Sequence, residues 1–190
     1  MSMPRTAMDW TAERVRALPD DGKRYEVVDG ELLVTPSPRT PHQRALGELH
    51  FRLTEYVRAT GIGEVFFSPS DVEFDPRTLV QPDLFVVPFN EGRRIRNWSE
   101  IQRLLLAVEI LSPSTARYDR LTKRRVYQRE SVEYWIIDID ARVVERWRPG
   151  DERPEILAER LEWQPDEARA AWVLELEGYF DAVGDLTRDR

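Results

Sequence analysis

The chain has 190 residues, 41% of them hydrophobic and 33% charged, with no Cys and a formal charge of −7. That length suits one compact domain, and seven Phe, six Trp and six Tyr argue for a packed core. The absence of Cys excludes a disulfide scaffold, a zinc ribbon and a thiol nucleophile.

The negative charge is uneven. Residues 151–190 hold twelve acids and five bases, whereas residues 1–150 hold 23 of each. Local potential decides where an anion binds, so the overall sign does not exclude a phosphate ligand. Within residues 117–129, Arg117, Arg120, Lys123, Arg124, Arg125 and Arg129 face a single acid, Asp119. Of the 28 cationic residues only Lys23 and Lys123 are lysines, and only His42 and His50 are histidines, which removes most His-rich metal sites. No stretch approaches the length of an apolar membrane span, and MSMPRTAMDW lacks the apolar core of a signal peptide. A soluble, cytoplasmic protein is expected.

Residues 9–18 predict a short helix capped by Asp9 or Thr11 and stopped at Pro19. Residues 24–34 predict a hairpin around Asp29-Gly30. TPSPRTP (35–41) is a loop, and Leu46, Leu49, Leu53 and Val57 form one apolar stripe on a helix over 42–59. Three strand-like runs follow at 64–74, 79–88 and 104–111, the last apolar enough to be buried on both faces. SPST (112–115) is a turn into a basic helix over 116–130. Residues 133–148 read as two strands, 153–163 and 172–176 as further strands, and 177–185 as a terminal helix. This order predicts an α/β protein (mixed α+β) with a central mixed sheet, not a βαβαβ nucleotide fold. The expected organisation is a domain over 1–150 with its helix and hairpin, and an acidic extension over 151–190 packing on it. There is no glycine-rich phosphate loop and no GxSxG elbow.

A carboxylate within an apolar strand is costly unless it is paired, solvated or metal-bound. Asp83 in VQPDLFVV and Glu109 in LLLAVEILSP are such residues. Each alone reads as a structural pair with an arginine or backbone N–H. Together they put one acid near the C-terminal end of each of two consecutive strands, where ligands often bind. Such a pair suits Mg²⁺, which takes one or two carboxylates and leaves its other positions to water and phosphate. Glu26 on the hairpin is a third acid, or a solvated one. Lys123 stands out in an Arg-dominated chain because a lysine pKa moves readily. Its alternative is an i,i+4 pair with Asp119 on a wet face. The basic helix reads as a solvated face or a set of phosphate contacts. Tyr127 packs inward or touches substrate, and His42 binds phosphate or caps its helix. Ser112, Ser114 and Thr115 build a turn.

The ordered runs RYEVVDGELLVTPSP, PHQRALGEL, VFFSPSDVEF, VQPDLFVVP, VEILSPST and DRLTKRRVYQRESVEYWIID resemble the Uma-two family of bacterial putative restriction endonucleases over roughly residues 10–148. The resemblance implies the PD-(D/E)XK nuclease fold, a central mixed sheet flanked by helices. It implies that Pro82-Asp83 is the PD element, that Glu109 is the acid of the (D/E)XK element and that Glu26 is an early acid. The lysine of that motif falls two residues later, at Leu111 here, so Lys123 on the next helix stands for a migrated lysine. A shared fold does not by itself establish activity.

The expected function is therefore Mg²⁺-dependent hydrolysis of DNA by an endonuclease, with Mn²⁺ as a substitute ion. Asp83, Glu109, Lys123 and Glu26 are the candidate catalytic residues, with Asp83 and Glu109 as metal ligands. Arg120, Arg124, Arg125, His42 and Tyr127 are the candidate nucleic-acid contacts. The alternatives are a nuclease-fold module that binds nucleic acid or oligomerises without turnover, and a hydrolase of another phosphodiester. A homodimer is expected by analogy, since two active sites cut a duplex most simply, and no membrane partner is expected.

Overall fold

The computed structural model describes residues 9–35 and 37–184. A short helix α1 (Ala12–Arg16) leads to the hairpin β1 (Arg24–Val28) and β2 (Glu31–Thr35), and then to the long helix α2 (Thr40–Thr60). Strands β3 (Gly63–Phe67), β4 (Val72–Asp75), β5 (Thr78–Val80), β6 (Leu84–Pro88) and β7 (Leu106–Ile110) follow. The basic segment comprises α3 (Ala116–Tyr118), a π-helical turn (Asp119–Lys123) and α4 (Arg124–Arg129). The chain continues through β8 (Glu133–Asp138), β9 (Val143–Trp147), β10 (Glu155–Leu157), β11 (Arg160–Trp163), β12 (Trp172–Glu175) and α5 (Leu176–Val183).

The strands form a six-stranded sheet ordered β10-β9-β8-β7-β6-β3, a four-stranded sheet ordered β2-β1-β5-β4 and the separate hairpin β11-β12. Only β7 and β8 pair in parallel within the large sheet, joined by the basic helical segment. Two positions differ from the expected strands. The run 64–74 divides into β3 and β4, and the run 79–88 divides into β5 and β6, each half going to a different sheet. Pro82 has no N–H to give to a ladder, and the N–H of Gln81 goes to the Glu26 carboxylate at 2.7 Å. The chain therefore leaves one sheet and enters the other across Gln81-Pro82-Asp83. The hairpin turn needs positive φ at both central residues; Asp29 has φ 49° and Gly30 φ 85°. Thr11, not Asp9, caps α1, accepting from the Arg14 N–H.

The large sheet is buried on both faces, and alternation sorts its side chains. Leu84, Val86, Leu106, Val108, Ile110, Trp135 and Ile137 join the core made with α2, β11-β12 and α5. Phe85, Val87, Ala107, Tyr134 and Ile136 face the other way, against α4 and the inner face of the small sheet. On β1 the outer face carries Val27 against α1, so Arg24, Glu26 and Val28 point inward. Beyond residue 150, β10 is the edge strand of the large sheet, and Leu161, Trp163, Trp172, Leu174, Tyr179 and Phe180 lie in its core. No helix among the described residues is long and apolar enough to cross a membrane.

Trp163 on β11 meets Trp135 of β8 and Tyr56 of α2 edge-on, each with ring centroids 6.0 Å apart. Trp163→Ala is expected to lower unfolding free energy by about 3–5 kcal/mol, as for other large aromatics lost from a core. Urea denaturation followed by circular dichroism measures it, with the whole chain melting in one transition.

Candidate functional site

Asp83 and Glu109 meet because β6 and β7 are antiparallel. The register Leu84↔Val108 and Phe85↔Ala107, continued by one residue, sets Asp83 opposite Glu109. Asp83 thus sits at the start of its strand and Glu109 near the end of its own, rather than both near C-terminal ends. Glu109 shares its face with Ala107, which turns it toward α4 and β1. Asp83 has three donors for its two oxygens. Arg24 Nη1 donates to Oδ1 at 2.6 Å, and Oδ2 lies 2.9 Å from His42 Nε2 and accepts from the Ile110 N–H at 2.9 Å. Burial opposes its charge, but the His42 hydrogen bond and the Arg24 guanidinium prevail and hold the carboxyl well below the usual carboxylate range.

Lys123 is 1% exposed. Its Nζ donates to Glu109 Oε1 at 2.8 Å and lies 2.7 Å from Glu26 Oε1. The wet-face pair with Asp119 is thereby excluded: both residues are buried, brought inward by the π-helical turn. Burial works against the ammonium, yet Glu109, Glu26 and Asp119 outweigh it and keep the Lys123 pKa above its ordinary value. Burial pushes Glu109 upward despite Lys123, and pushes Asp119 up to about 6. Tyr127, expected as a nucleic-acid contact, is corrected: it is wholly buried. It packs on Tyr134 at 4.6 Å between centroids, and its hydroxyl points at Glu109 Oε1 from 3.4 Å. The helix period that carries Lys123 inward carries Tyr127, one turn on, inward too.

A cavity of about 590 Å³ opens over the acids. Arg24, His42, Asp83, Glu109 and Arg120 line it, whereas Glu26 and Lys123 lie behind Glu109 and do not. Ser112, Ser114 and Thr115 form its far wall as a turn closed by hydroxyl contacts of 2.9–3.0 Å. Arg120 is tied to Glu145 and Asp138. Arg124 stacks over Trp147 at 4.7 Å and bonds Gln128, and Arg125 is exposed. A second hollow, of about 670 Å³, lies among Arg93, Arg94 and Arg96 in the loop after β6 and has no buried acid on its wall.

The donor set suits a hard cation. Four buried carboxyls, of Glu26, Asp83, Glu109 and Asp119, face two permanent cations, Arg24 and Lys123. Glu109 Oε1 takes Lys123 and Tyr127, which leaves Oε2 without a hydrogen bond among the described residues. Among those residues no three His, Asp or Glu side chains close a metal cage. Glu26 Oε2 is also buried without a partner. Arg24 escaped the sequence reading, although it lies two residues before Glu26 and so on the same face of its strand.

A family model described as "Uma2: Putative restriction endonuclease" matches residues 12–178. No curated protein matches the chain. Among solved structures, the chain resembles a putative nuclease belonging to DUF820 from Anabaena variabilis, with 19% identity and a TM-score of 0.73 over 92% of this chain and 99% of that one. That likeness shows a shared fold, consistent with the restriction-endonuclease-like architecture.

Lys123→Met keeps the shape of the side chain and strands Glu26 and Glu109. Breaking a buried pair costs about 3–5 kcal/mol, so a loss of that size is expected in denaturant titration at neutral pH. A glutamate whose pKa is raised by folding binds more protons folded than unfolded, so its cost to stability grows as pH rises. The deficit of Lys123→Met should accordingly shrink on acidification toward the ordinary glutamate range.

Proposed function

The chain belongs to the Uma2 family of putative restriction endonucleases, and from that premise we propose that it is a Mg²⁺-dependent endonuclease acting on DNA in the cytoplasm. The observation that carries this reading is the adjacent pair Asp83 and Glu109 on the cavity wall, with the second carboxylate backed by a buried ammonium.

Asp83 and Glu109 would hold the ion. Mg²⁺, or Mn²⁺ in its place, supplies Lewis acidity at the phosphate and makes a nearby water more acidic. Lys123 is a positioning residue. Its ammonium stays charged, occupies Glu109 Oε1 and leaves Oε2 as the oxygen available on the cavity side. It cannot serve readily as a base while two carboxylates hold its proton. Glu26 anchors Lys123 from behind and accepts the Gln81 N–H, which fixes the crossing that ends in Asp83. Arg24 forms an ion pair with Asp83, and His42 is hydrogen-bonded to it. Both residues also line the cavity, where their N–H groups would be placed to donate to charge on a bound phosphate. Arg125 offers an exposed backbone contact, and Arg120 one at the cavity rim; such contacts set affinity and its salt dependence. A homodimer would bring one centre to each strand of a duplex.

One observation favours a second reading, a DNA-binding module without turnover. Both oxygens of Asp83 already accept from protein donors, three in all, which leaves an ion one lone pair, on Oδ1. Calorimetry with Mn²⁺ separates the two: heat that Asp83→Ala removes supports the nuclease, and no heat from the wild type supports the module.

Supercoiled plasmid incubated with Mg²⁺ or Mn²⁺ tests the activity. Nicking and linearisation are expected, with Asp83→Ala, Glu109→Gln or chelation reducing the rate by about a hundredfold or more. Lys123→Ala should slow cutting as well. Cutting that survives in both Asp83→Ala and Glu109→Gln would remove this centre from the reaction.

A further inference from the structure

The lining of the cavity contains polar atoms with no role in the proposed reaction. Thr35 is 6% exposed and lines the cavity, and its hydroxyl has no hydrogen-bond partner. It stands directly across from Arg24 in the β1-β2 ladder, so the two side chains share a face a few ångströms apart. Arg24 spends Nη1 on Asp83 and Ser68 but leaves Nε buried and unbonded. A buried polar atom left unbonded costs free energy. Two such atoms on adjacent residues of one cavity wall suggest that something else bonds them.

Charge on the same wall favours an anion. The amino end of α2 opens onto the cavity through Arg39, Pro41 and His42. Pro41 has no N–H and that of Gln43 bonds Arg39 O, but the Thr40 and His42 amides have no partner inside the helix, and the Arg39 N-cap supplies no side-chain cap. A helix of this length carries partial positive charge at that end. Arg39 itself is exposed, lines the cavity and makes no ion pair among the described residues. Arg120, which also lines the cavity, is already tied to two carboxylates.

We propose that Thr35, Arg39, the free edge of Arg24 and the amino end of α2 form a second phosphate subsite, which takes the backbone phosphate next to the one cut. This rests on the nuclease reading for its ligand, but not on metal or turnover. The subsite orients the strand so that the neighbouring phosphodiester lies over Asp83 and Glu109. It uses charge and hydrogen bonds to phosphate oxygens, so it binds without regard to sequence.

Fluorescence anisotropy of a short DNA duplex, in EDTA and over a salt series, tests it. Arg39→Gln is expected to weaken binding and to reduce the slope of log K against log salt by about 0.9, the signature of one lost phosphate contact. Thr35→Val is expected to weaken binding about fivefold, the worth of one hydrogen bond, with the slope unchanged. Thr54→Val makes the same chemical change at an unbonded hydroxyl that does not line the cavity, and should bind as wild type does. Wild-type affinity and slope in both Thr35→Val and Arg39→Gln would overturn the subsite, as would no binding by the wild type. If those variants lose affinity while no metal supports cutting, the subsite stands and the nuclease reading falls. If cutting depends on Asp83 while the two variants bind normally, the reverse holds.

Discussion

A buried ammonium between two buried carboxylates organises this protein. Lys123 reaches Glu26 on β1 and Glu109 on β7 with contacts below 3 Å, and those strands belong to different sheets. A charge is taken out of water only if opposite charge and hydrogen bonds replace its hydration. Lys123 therefore cannot settle until the small sheet, the large sheet and the π-helical turn are all present. Neither carboxylate is tolerable in its pocket without it. The triad is a condition on how three segments dock, and the cavity lies over the line where they do.

The same constraint explains the division of labour among the acids. Asp83 and Glu109 are neighbours across one ladder, yet their surroundings differ. Asp83 receives two side-chain donors and a backbone N–H and is held ionised. Glu109 is pushed upward by burial, with Lys123 opposing it. One carboxylate has donors on both oxygens; the other has them on one oxygen only. The two carboxylates thus offer different oxygens to the cavity, although they are neighbours across one ladder.

Much of this was legible in the sequence because period two and an apolar background expose an out-of-place acid. Asp83, Glu109 and the hairpin Glu26 were visible on that ground, and the rarity of lysine drew attention to Lys123. The partner of Lys123 was not legible. An i,i+4 spacing offers Asp119 equally well, and only the tertiary docking of β1 brings Glu26 into reach. The two long strand runs read as continuous because a Pro within an apolar run does not say which sheet each half joins. Arg24 and Thr35 were hidden for a similar reason: a cross-strand pair becomes visible only once the register of the hairpin is known. The C-terminal segment looked weakly patterned in sequence, since its short strands bury aromatic residues singly. Trp163, Trp172, Tyr179 and Phe180 nonetheless complete one face of the core.

The crossing at Gln81-Pro82-Asp83 has a further consequence. Its three residues tie the two sheets covalently at the point where the acids converge: Gln81 is bonded to Glu26 of one sheet, and Asp83 to the Ile110 N–H of the other. Any slippage of one layer over the other would be felt first there. A chain in which only the large sheet has formed presents Asp83 and Glu109 without Arg24, Glu26 or a seated Lys123, and so without the field that defines the site. The centre comes into being with the last step of assembly. A half-made molecule thereby lacks the arrangement of charges that the assembled one carries.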